Sequence, residues 1–205
     1  EGAWYAGVGE PLLKVQDSEA HFGVTVRNCM VLYADGAKVD YSVWPEAVLS
    51  RIDRERRLPD EFDLGYRVLV DKDDRVKDWP PPTFTAHLVT APDEAAYRSL
   101  IEEFWFCATY VAKYLWRREL LPAKVILDYE MTYLITRRML EWRAGIDHDW
   151  SVRPGFFGRG LHRYLDAETW RELGETYAAF SIKETWHALH RAIRLFRRIA
   201  VRVGA

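Results

Sequence analysis

The chain has 205 residues, 49% of them hydrophobic, including nine Trp, eleven Tyr and nine Phe. This composition excludes an intrinsically disordered protein, and the length suits one large domain or two small ones. The formal net charge of −2 excludes binding to nucleic acid or to an anionic membrane through bulk charge, so a charged ligand must be recognised by a local cluster. Because no apolar stretch reaches the roughly 18 residues of a membrane span, we expect a cytoplasmic protein.

The first part of the chain has a β pattern. Residues 27–34 are rich in β-favouring residues, and residues 38–44 alternate between apolar and polar side chains. Between them Asp35-Gly36 is a strong hairpin-turn signal, because Gly adopts positive φ without strain. The sequence therefore predicts a β-hairpin here.

Three consecutive prolines, residues 80–82, mark the change from a β to an α pattern. A short helix over residues 48–57 and a further strand over residues 66–70 are predicted before them. The prolines remove three backbone donors and exclude a helix or a central strand, so we interpret them as a linker. The predicted domains are residues 1–82 and 83–205.

After the prolines the spacing of apolar residues is helical. Thr90 with Asp93 forms a capping box for a first helix, and a second helix begins near Pro122 and ends before the stop signal Gly145. Asp166 caps a third helix. The last helix covers residues 183–203, with Trp186, Leu189, Ile193, Phe196 and Ala200 facing the core.

The two cysteines, Cys29 and Cys107, each lie inside an apolar run without metal-ligand spacing. We expect both to be buried small hydrophobic residues. The six histidines show no catalytic or metal-binding spacing and are assigned no role.

Asp40 is a lone carboxylate inside an apolar strand. Since burying an unpaired carboxylate is costly, this group should be paired, metal-bound or on an open face of the sheet. Two interpretations stay open: a residue of a solvated face, or one member of a carboxylate cluster that holds Mg²⁺.

The first helix leaves an unusual face outside its apolar stripe, with acid, base and aromatic rings mixed: Glu103, Phe106, Thr109, Tyr110, Lys113 and Arg117. Rings beside charges suit a ligand pocket, although a half-buried packing face would have the same pattern. Lys124 and Asp128 form an i, i+4 pair, which is most often only a surface ion pair.

Several short stretches occur from about residue 8 to the C-terminal end in the order of a known family. They are Tyr33-Ala-Asp-Gly-Ala-Lys-Val-Asp40, Val70-Asp-Lys-Asp73, Trp79-Pro-Pro-Pro82, Glu103-Phe-Trp, Thr109-Tyr-Val-Ala-Lys113, Leu115-Trp-Arg117, Ala123-Lys124, Leu127-Asp128 and Met139-Leu-Glu-Trp142. No single stretch is diagnostic, but the ordered set resembles the aminoglycoside 6-adenylyltransferases, also called streptomycin adenylyltransferases.

The resemblance implies an α+β fold: part of a nucleotidyltransferase-type mixed sheet, followed by an α-helical bundle that binds the substrate. It also implies a transferase that moves AMP from ATP, with Mg²⁺, to a hydroxyl of streptomycin and so causes antibiotic resistance. The family's Gly-Ser turn and Asp-x-Asp pair are not present in the sequence, which starts at Glu1 in ordinary domain sequence. We therefore expect an N-terminal portion upstream, without which the chain is incomplete for catalysis.

By resemblance, Asp40 matches the third acidic position and would bind metal or act as the catalytic base, while Lys113 and Lys124 would contact the nucleotide. The substrate-binding residues would be Glu103, Phe106, Tyr110 and Asp128. Two alternatives stay open: a related nucleotidyltransferase with a different acceptor, and a catalytically dead remnant that binds a ligand or partner.

Overall fold

The computed structural model describes residues 4–205, and the chain divides into two compact units between Ala86 and His87. The first unit contains the sheet and the second is helical, which confirms the α+β class. The triple proline lies inside the first unit, a few residues before the boundary.

The sheet of the first unit has three strands in the order β1-β2-β3, and both pairings are antiparallel. A mixed sheet was predicted, but no parallel pairing occurs among the described residues. The elements are a 3₁₀ turn (Trp4–Gly7), β1 (Pro11–His21), β2 (Val24–Tyr33), β3 (Lys38–Val43) and helix α1 (Ala47–Glu55). Strand β1 was not predicted, because all of its residues except His21 are exposed and the burial pattern has no alternation.

The hairpin between β2 and β3 is confirmed. Gly36 has a φ of 84°, and the Asp35 carboxylate accepts a hydrogen bond from the Ala37 N–H at 2.9 Å. On one face of the hairpin the buried residues Cys29, Val31 and Tyr33 form a small apolar cluster with Val39 and Tyr41. This cluster fixes the register, since a slip of one residue would turn it to the opposite face.

The strand predicted over residues 66–70 is wrong. This segment pairs with no strand in the described part of the chain, and Leu69 and Val70 are 82% and 74% exposed. Apolar residues favour a strand only where a partner supplies hydrogen bonds and a buried face.

Asp63 organises the segment that follows the prolines. Its buried carboxylate accepts hydrogen bonds from the Thr83 N–H at 2.5 Å and the Thr83 hydroxyl at 2.8 Å. It also accepts the N–H groups of Thr85 at 2.9 Å and Ala86 at 3.0 Å. Because these donors stabilise the charged form, led by the Thr83 N–H, the pKa of Asp63 lies well below its usual range.

The second unit is helical, and its longest connection, residues 148–166 between two helices, contains two 3₁₀ turns. Its elements are α2 (Glu94–Trp116), α3 (Leu120–Lys124), a π-helix (Val125–Thr136), α4 (Arg137–Asp147), 3₁₀ turns at Phe156–Gly158 and Leu161–Arg163, α5 (Ala167–Gly174) and α6 (Ile182–Val203). Helix α3, the π-helix and α4 follow one another without a break, so residues 120–147 form one continuous helical run.

Side-chain hydrogen bonds to backbone N–H groups cap the starts of three helices. Asp93 is the N-cap of α2 and accepts the Ala96 N–H at 2.7 Å, so the cap predicted at Thr90 is wrong. The prediction for Asp166 is confirmed, because its carboxylate accepts the Thr169 N–H at 2.7 Å. Ser181 caps α6 through the Glu184 N–H.

Helices α2, α6 and the continuous run share one apolar core. Phe104 of α2 stacks on Phe196 of α6, with ring centroids 3.8 Å apart and planes at 3°. Leu189, Phe196 and Ala200 are buried as predicted, whereas Trp186 and Ile193 are only half-buried at the core's edge.

The two cysteines are free, and they differ in burial. Cys29 is buried as predicted, but Cys107 is only half-buried against the core of the second unit. Partial burial raises the pKa of the Cys107 thiol, so it remains protonated near neutral pH.

Gly145 does not end its helix, which continues to Asp147. A Cβ at this position would lie 2.4 Å from Cε3 of Trp150. The backbone N–H of Trp150 also donates a hydrogen bond to the Gly145 carbonyl at 2.7 Å, which fixes the backbone that carries the ring. Gly145 is therefore a packing contact rather than a stop signal.

We predict that Gly145→Ala lowers the free energy of unfolding by about 1 kcal/mol. Overpacking of the Trp150 contact by the added methyl group costs about 1–3 kcal/mol, and the roughly 1 kcal/mol that Ala ordinarily adds within a helix offsets part of that cost. Urea unfolding measures the difference. The matched control is Gly174→Ala, since a Cβ at Gly174 meets nothing within 4 Å; equal stability of the two variants would contradict the packing argument.

We predict that Asp63→Asn destabilises the first unit at pH 7 and that the difference from the wild type shrinks as pH falls below about 4. The carboxylate's pKa is lowered by folding, so its stabilisation is complete above the unfolded pKa and is lost as pH falls towards the folded value. Urea unfolding at a series of pH values tests this. Exposed Asp53→Asn is the control, and a pH-independent difference for Asp63→Asn would refute the assignment.

Candidate functional site

Asp40 lies on an open face of the sheet. Its carboxylate accepts a hydrogen bond from Lys38 Nζ at 3.0 Å, and both side chains are more than half exposed. Its cross-strand neighbour is Met30, which pairs in turn with Val15 of β1, 55% exposed. The structure thus avoids the cost of an unpaired buried carboxylate in two ways, by exposure and by an ion pair.

The described residues do not by themselves form a magnesium site. Mg²⁺ prefers octahedral oxygen coordination with one or two carboxylates and substrate phosphates. No group of three His, Cys, Asp or Glu side chains within residues 4–205 is arranged to hold a metal ion. Asp40 therefore offers a single carboxylate, and no catalytic step can be derived through a metal from these residues.

On α2 the structure brings part of the predicted pocket face together. Lys113 Nζ lies 4.4 Å from the ring centroid of Tyr110 and 4.7 Å from that of Tyr114. Phe106 is 65% exposed and Glu103 is also exposed. The two rings hold the ammonium group by cation–π attraction, so a fixed positive charge stands beside exposed aromatic surface.

Lys124 and Asp128 form an ion pair that also contacts the backbone of a distant segment. Lys124 Nζ lies 2.7 Å from Asp128 Oδ2 and donates to the Ala178 carbonyl at 2.6 Å. The i, i+4 ion pair is therefore confirmed, but with the two side chains only 15% and 30% exposed it is partly withdrawn from the surface. The other carboxylate oxygen, Oδ1 of Asp128, is buried without a hydrogen-bond partner.

A cleft of about 260 Å³ near the end of the π-helix was not predicted. Tyr133 and Arg137 follow one another at i, i+4 in the sequence, but the remaining wall comes from loops and from α5, so periodicity gives no signal for it. The lining residues are Thr132, Tyr133, Arg137, Phe157, Gly158, Leu161, Trp170, Leu173, Gly174 and Tyr177.

Arg137 is fixed in the wall of this cleft. Its Nε donates to the Tyr133 carbonyl at 3.0 Å, and Nη1 pairs with the buried carboxylate of Glu141. The guanidinium carbon lies 5.1 Å from the Tyr133 ring centroid. The pKa of Tyr177 is raised by burial, with the charges of Asp128 and Tyr133 adding to the effect, so its phenol stays neutral and can donate a hydrogen bond.

Comparison with known proteins identifies the family. The family model of streptomycin adenylyltransferase matches residues 2–205. The chain belongs to the streptomycin adenylyltransferase family. This confirms the resemblance drawn from the ordered sequence stretches.

Individual relatives of the streptomycin adenylyltransferase family agree. The chain is 29% identical over 178 residues to an aminoglycoside 6-adenylyltransferase of Bacillus subtilis and 27% identical over 181 residues to one of Campylobacter jejuni. Each alignment covers 85% of this chain but only 59% and 58% of the relative, respectively. The chain thus spans less than two thirds of the length of these curated relatives.

A solved structure supports the fold. The crystal structure of an aminoglycoside 6-adenyltransferase from Bacillus subtilis matches with a TM-score of 0.50 and 23% sequence identity. The match covers 99% of this chain and 73% of that chain.

Among the described residues, no helix is both long and apolar enough to cross a membrane.

We predict that Lys124→Met lowers the free energy of unfolding by about 3 kcal/mol, because it leaves the Asp128 carboxylate partly buried and unpaired. Adding Asp128→Asn should recover a large part of this loss by removing the charge. Chemical unfolding of the two single variants and the double variant measures the coupling. The control is Lys183→Met, because Lys183 is exposed. If Lys124→Met had the same free energy of unfolding as this control, the ion pair would contribute nothing to stability.

Proposed function

We propose that this chain works in an enzyme that transfers AMP from MgATP to a hydroxyl of streptomycin, and so confers resistance to the drug. The family match over residues 2–205 is the observation that carries this proposal. The enzyme would work in the cytoplasm, where its co-substrate ATP is made. ATP and the aminoglycoside would be its small-molecule partners.

The chemistry of the proposed reaction is a displacement at the α-phosphorus of ATP. The drug's hydroxyl oxygen forms a bond to that phosphorus, and the bond from the phosphorus to the bridging oxygen of pyrophosphate breaks. The hydroxyl proton passes to a base. Catalysis of such a transfer depends mainly on positioning and on charge stabilisation.

Asp40 is our proposal for the acidic group that acts in this step. Its exposure on the open sheet face, beside Lys38, leaves the carboxylate accessible to a substrate hydroxyl or to a cation. A carboxylate within hydrogen-bond reach of the hydroxyl can take its proton. As a metal ligand, Asp40 would supply one oxygen to the Mg²⁺ that accompanies ATP.

The α2 face is our proposal for part of the binding surface. Lys113, held against Tyr110 and Tyr114, would place its ammonium group on the triphosphate. Phe106 and Tyr110 would supply apolar walls, and Glu103 would face the cationic guanidino groups of the drug.

Lys124 and Asp128 enter the proposed site as an ion pair. Lys124 already has two oxygen partners within its unit, which competes with a contact to the nucleotide. For Asp128, the negative charge of a side chain that is still 30% exposed supports a role in binding the cationic drug.

We predict that the intact protein transfers labelled AMP to streptomycin and that Asp40→Asn loses most of this activity. Lys113→Ala should lower kcat/KM for ATP by about 100-fold, the usual effect of removing one group that stabilises transition-state charge. Thin-layer detection of labelled AMP on a panel of aminoglycosides measures both.

The controls are Asp53→Asn and Lys183→Ala, which alter exposed residues away from the proposed groups. Transfer to another acceptor but not to streptomycin would favour the related nucleotidyltransferase. Binding of streptomycin without binding of MgATP in calorimetry would favour the catalytically dead remnant. Full activity of Asp40→Asn would exclude both of its proposed roles.

A further inference from the structure

The cleft beside the π-helix is walled by four aromatic rings from different parts of the second unit. Tyr133 belongs to the π-helix, Phe157 to a loop, Trp170 to α5, and Tyr177 to the segment after α5. The rings of Tyr133 and Phe157 lie 6.0 Å apart at 61°, so they form a corner rather than a parallel slot. Residues distant in sequence thus converge on one small concave surface.

Two features of the wall indicate a formed site rather than a packing gap. Phe157 has a φ of 57°, an unfavourable conformation for a non-glycine residue, and it places the ring at the cleft. Next to it, Gly158 has a φ of 71°, and a Cβ there would lie 3.0 Å from Cδ of Arg137. The adjoining wall belongs to a 12-residue π-helix, and π-helical turns are rare and frequent at functional sites.

The size of the cleft limits its ligand. Pockets that enclose a drug-sized molecule measure about 300–1,000 Å³. At about 260 Å³ this cleft fits one ring of such a molecule rather than the whole.

The charges of the cleft select among the rings of a streptomycin-class drug. Arg137 is fixed in the wall by the Tyr133 carbonyl and by the carboxylate of Glu141, which neutralises its charge, so this wall offers no free anion to a cationic guanidino group. The aromatic faces favour a ring with a flat apolar side, and the neutral phenol of Tyr177 suits a hydroxyl group. The corner arrangement suits a puckered ring better than a planar base, which stacks between parallel rings.

We propose that this cleft binds an uncharged, hydroxylated sugar ring of the aminoglycoside acceptor. The inference rests on the proposed function, because it takes streptomycin-class drugs as the ligand. Binding energy gained at such a ring helps to position the rest of the drug for reaction.

Calorimetry tests this proposal. The 205-residue chain is titrated with streptomycin and, separately, with streptidine, the sugar-free diguanidino part of the drug. Trp170→Ala should raise the Kd for streptomycin about three- to tenfold, the loss expected for one aromatic contact, and should leave streptidine binding unchanged. Trp116→Ala is the matched control, because Trp116 is 84% exposed at the end of α2 and outside the cleft. Tyr177→Phe keeps the ring and should weaken streptomycin alone, which decides the question if Trp170→Ala unfolds.

Three outcomes would overturn the proposal: no binding of streptomycin by the wild-type chain, an unchanged Kd in both cleft variants, or equal weakening of streptomycin and streptidine. An assay of AMP transfer by the intact protein distinguishes failure of the cleft proposal from failure of the proposed function. Transfer to streptomycin with an unchanged KM in the cleft variants refutes the cleft alone. Cleft-dependent binding of streptomycin without any AMP transfer refutes the proposed reaction and supports the cleft.

Discussion

The face-to-face stack of Phe104 on Phe196 is the contact on which the second unit depends. Both rings are fully buried, and they join α2 to α6, the first and last long helices of the unit. Both helices also pack on the continuous run of residues 120–147. Because the run is enclosed in this way, most of its side chains are buried or half-buried.

Two ion pairs lie at the ends of the π-helix in this run. Lys124 pairs with Asp128 at the start of the π-helix, and Arg137 pairs with Glu141 immediately after it. Pairs that are largely withdrawn from water contribute little net stability, since the cost of desolvation offsets the attraction. The pair with Glu141 fixes Arg137 in the wall of the cleft, and the π-helix contributes Thr132 and Tyr133 to the same wall.

The first unit makes a different contribution. Its small sheet leaves β1 exposed along nearly its whole length and presents Asp40 on an open face. A phosphoryl-type transfer needs several groups around the phosphate, and the described part of this unit supplies a single acid of the kind proposed. The binding features that we propose are therefore concentrated in the helical unit.

The sequence alone determined the elements whose signals are local. Asp35-Gly36 has the dihedral freedom that its hairpin needs, Asp166 caps its helix through a neighbour three residues away, and the ordered motifs identified the family. The long helices also followed from apolar spacing, because one buried stripe suffices to define them.

Only the tertiary structure decided what depends on distant partners. Residues 66–70 have the composition of a strand but pair with no strand within residues 4–205. Gly145 leaves room for the ring of Trp150, which lies in the turn after the helix. Lys124 and Asp128 are withdrawn from water because the segment at Ala178 covers them. The aromatic cleft combines a π-helix, a strained loop and α5. No periodicity predicts such a convergence, since it arises from the packing of the helices on one another.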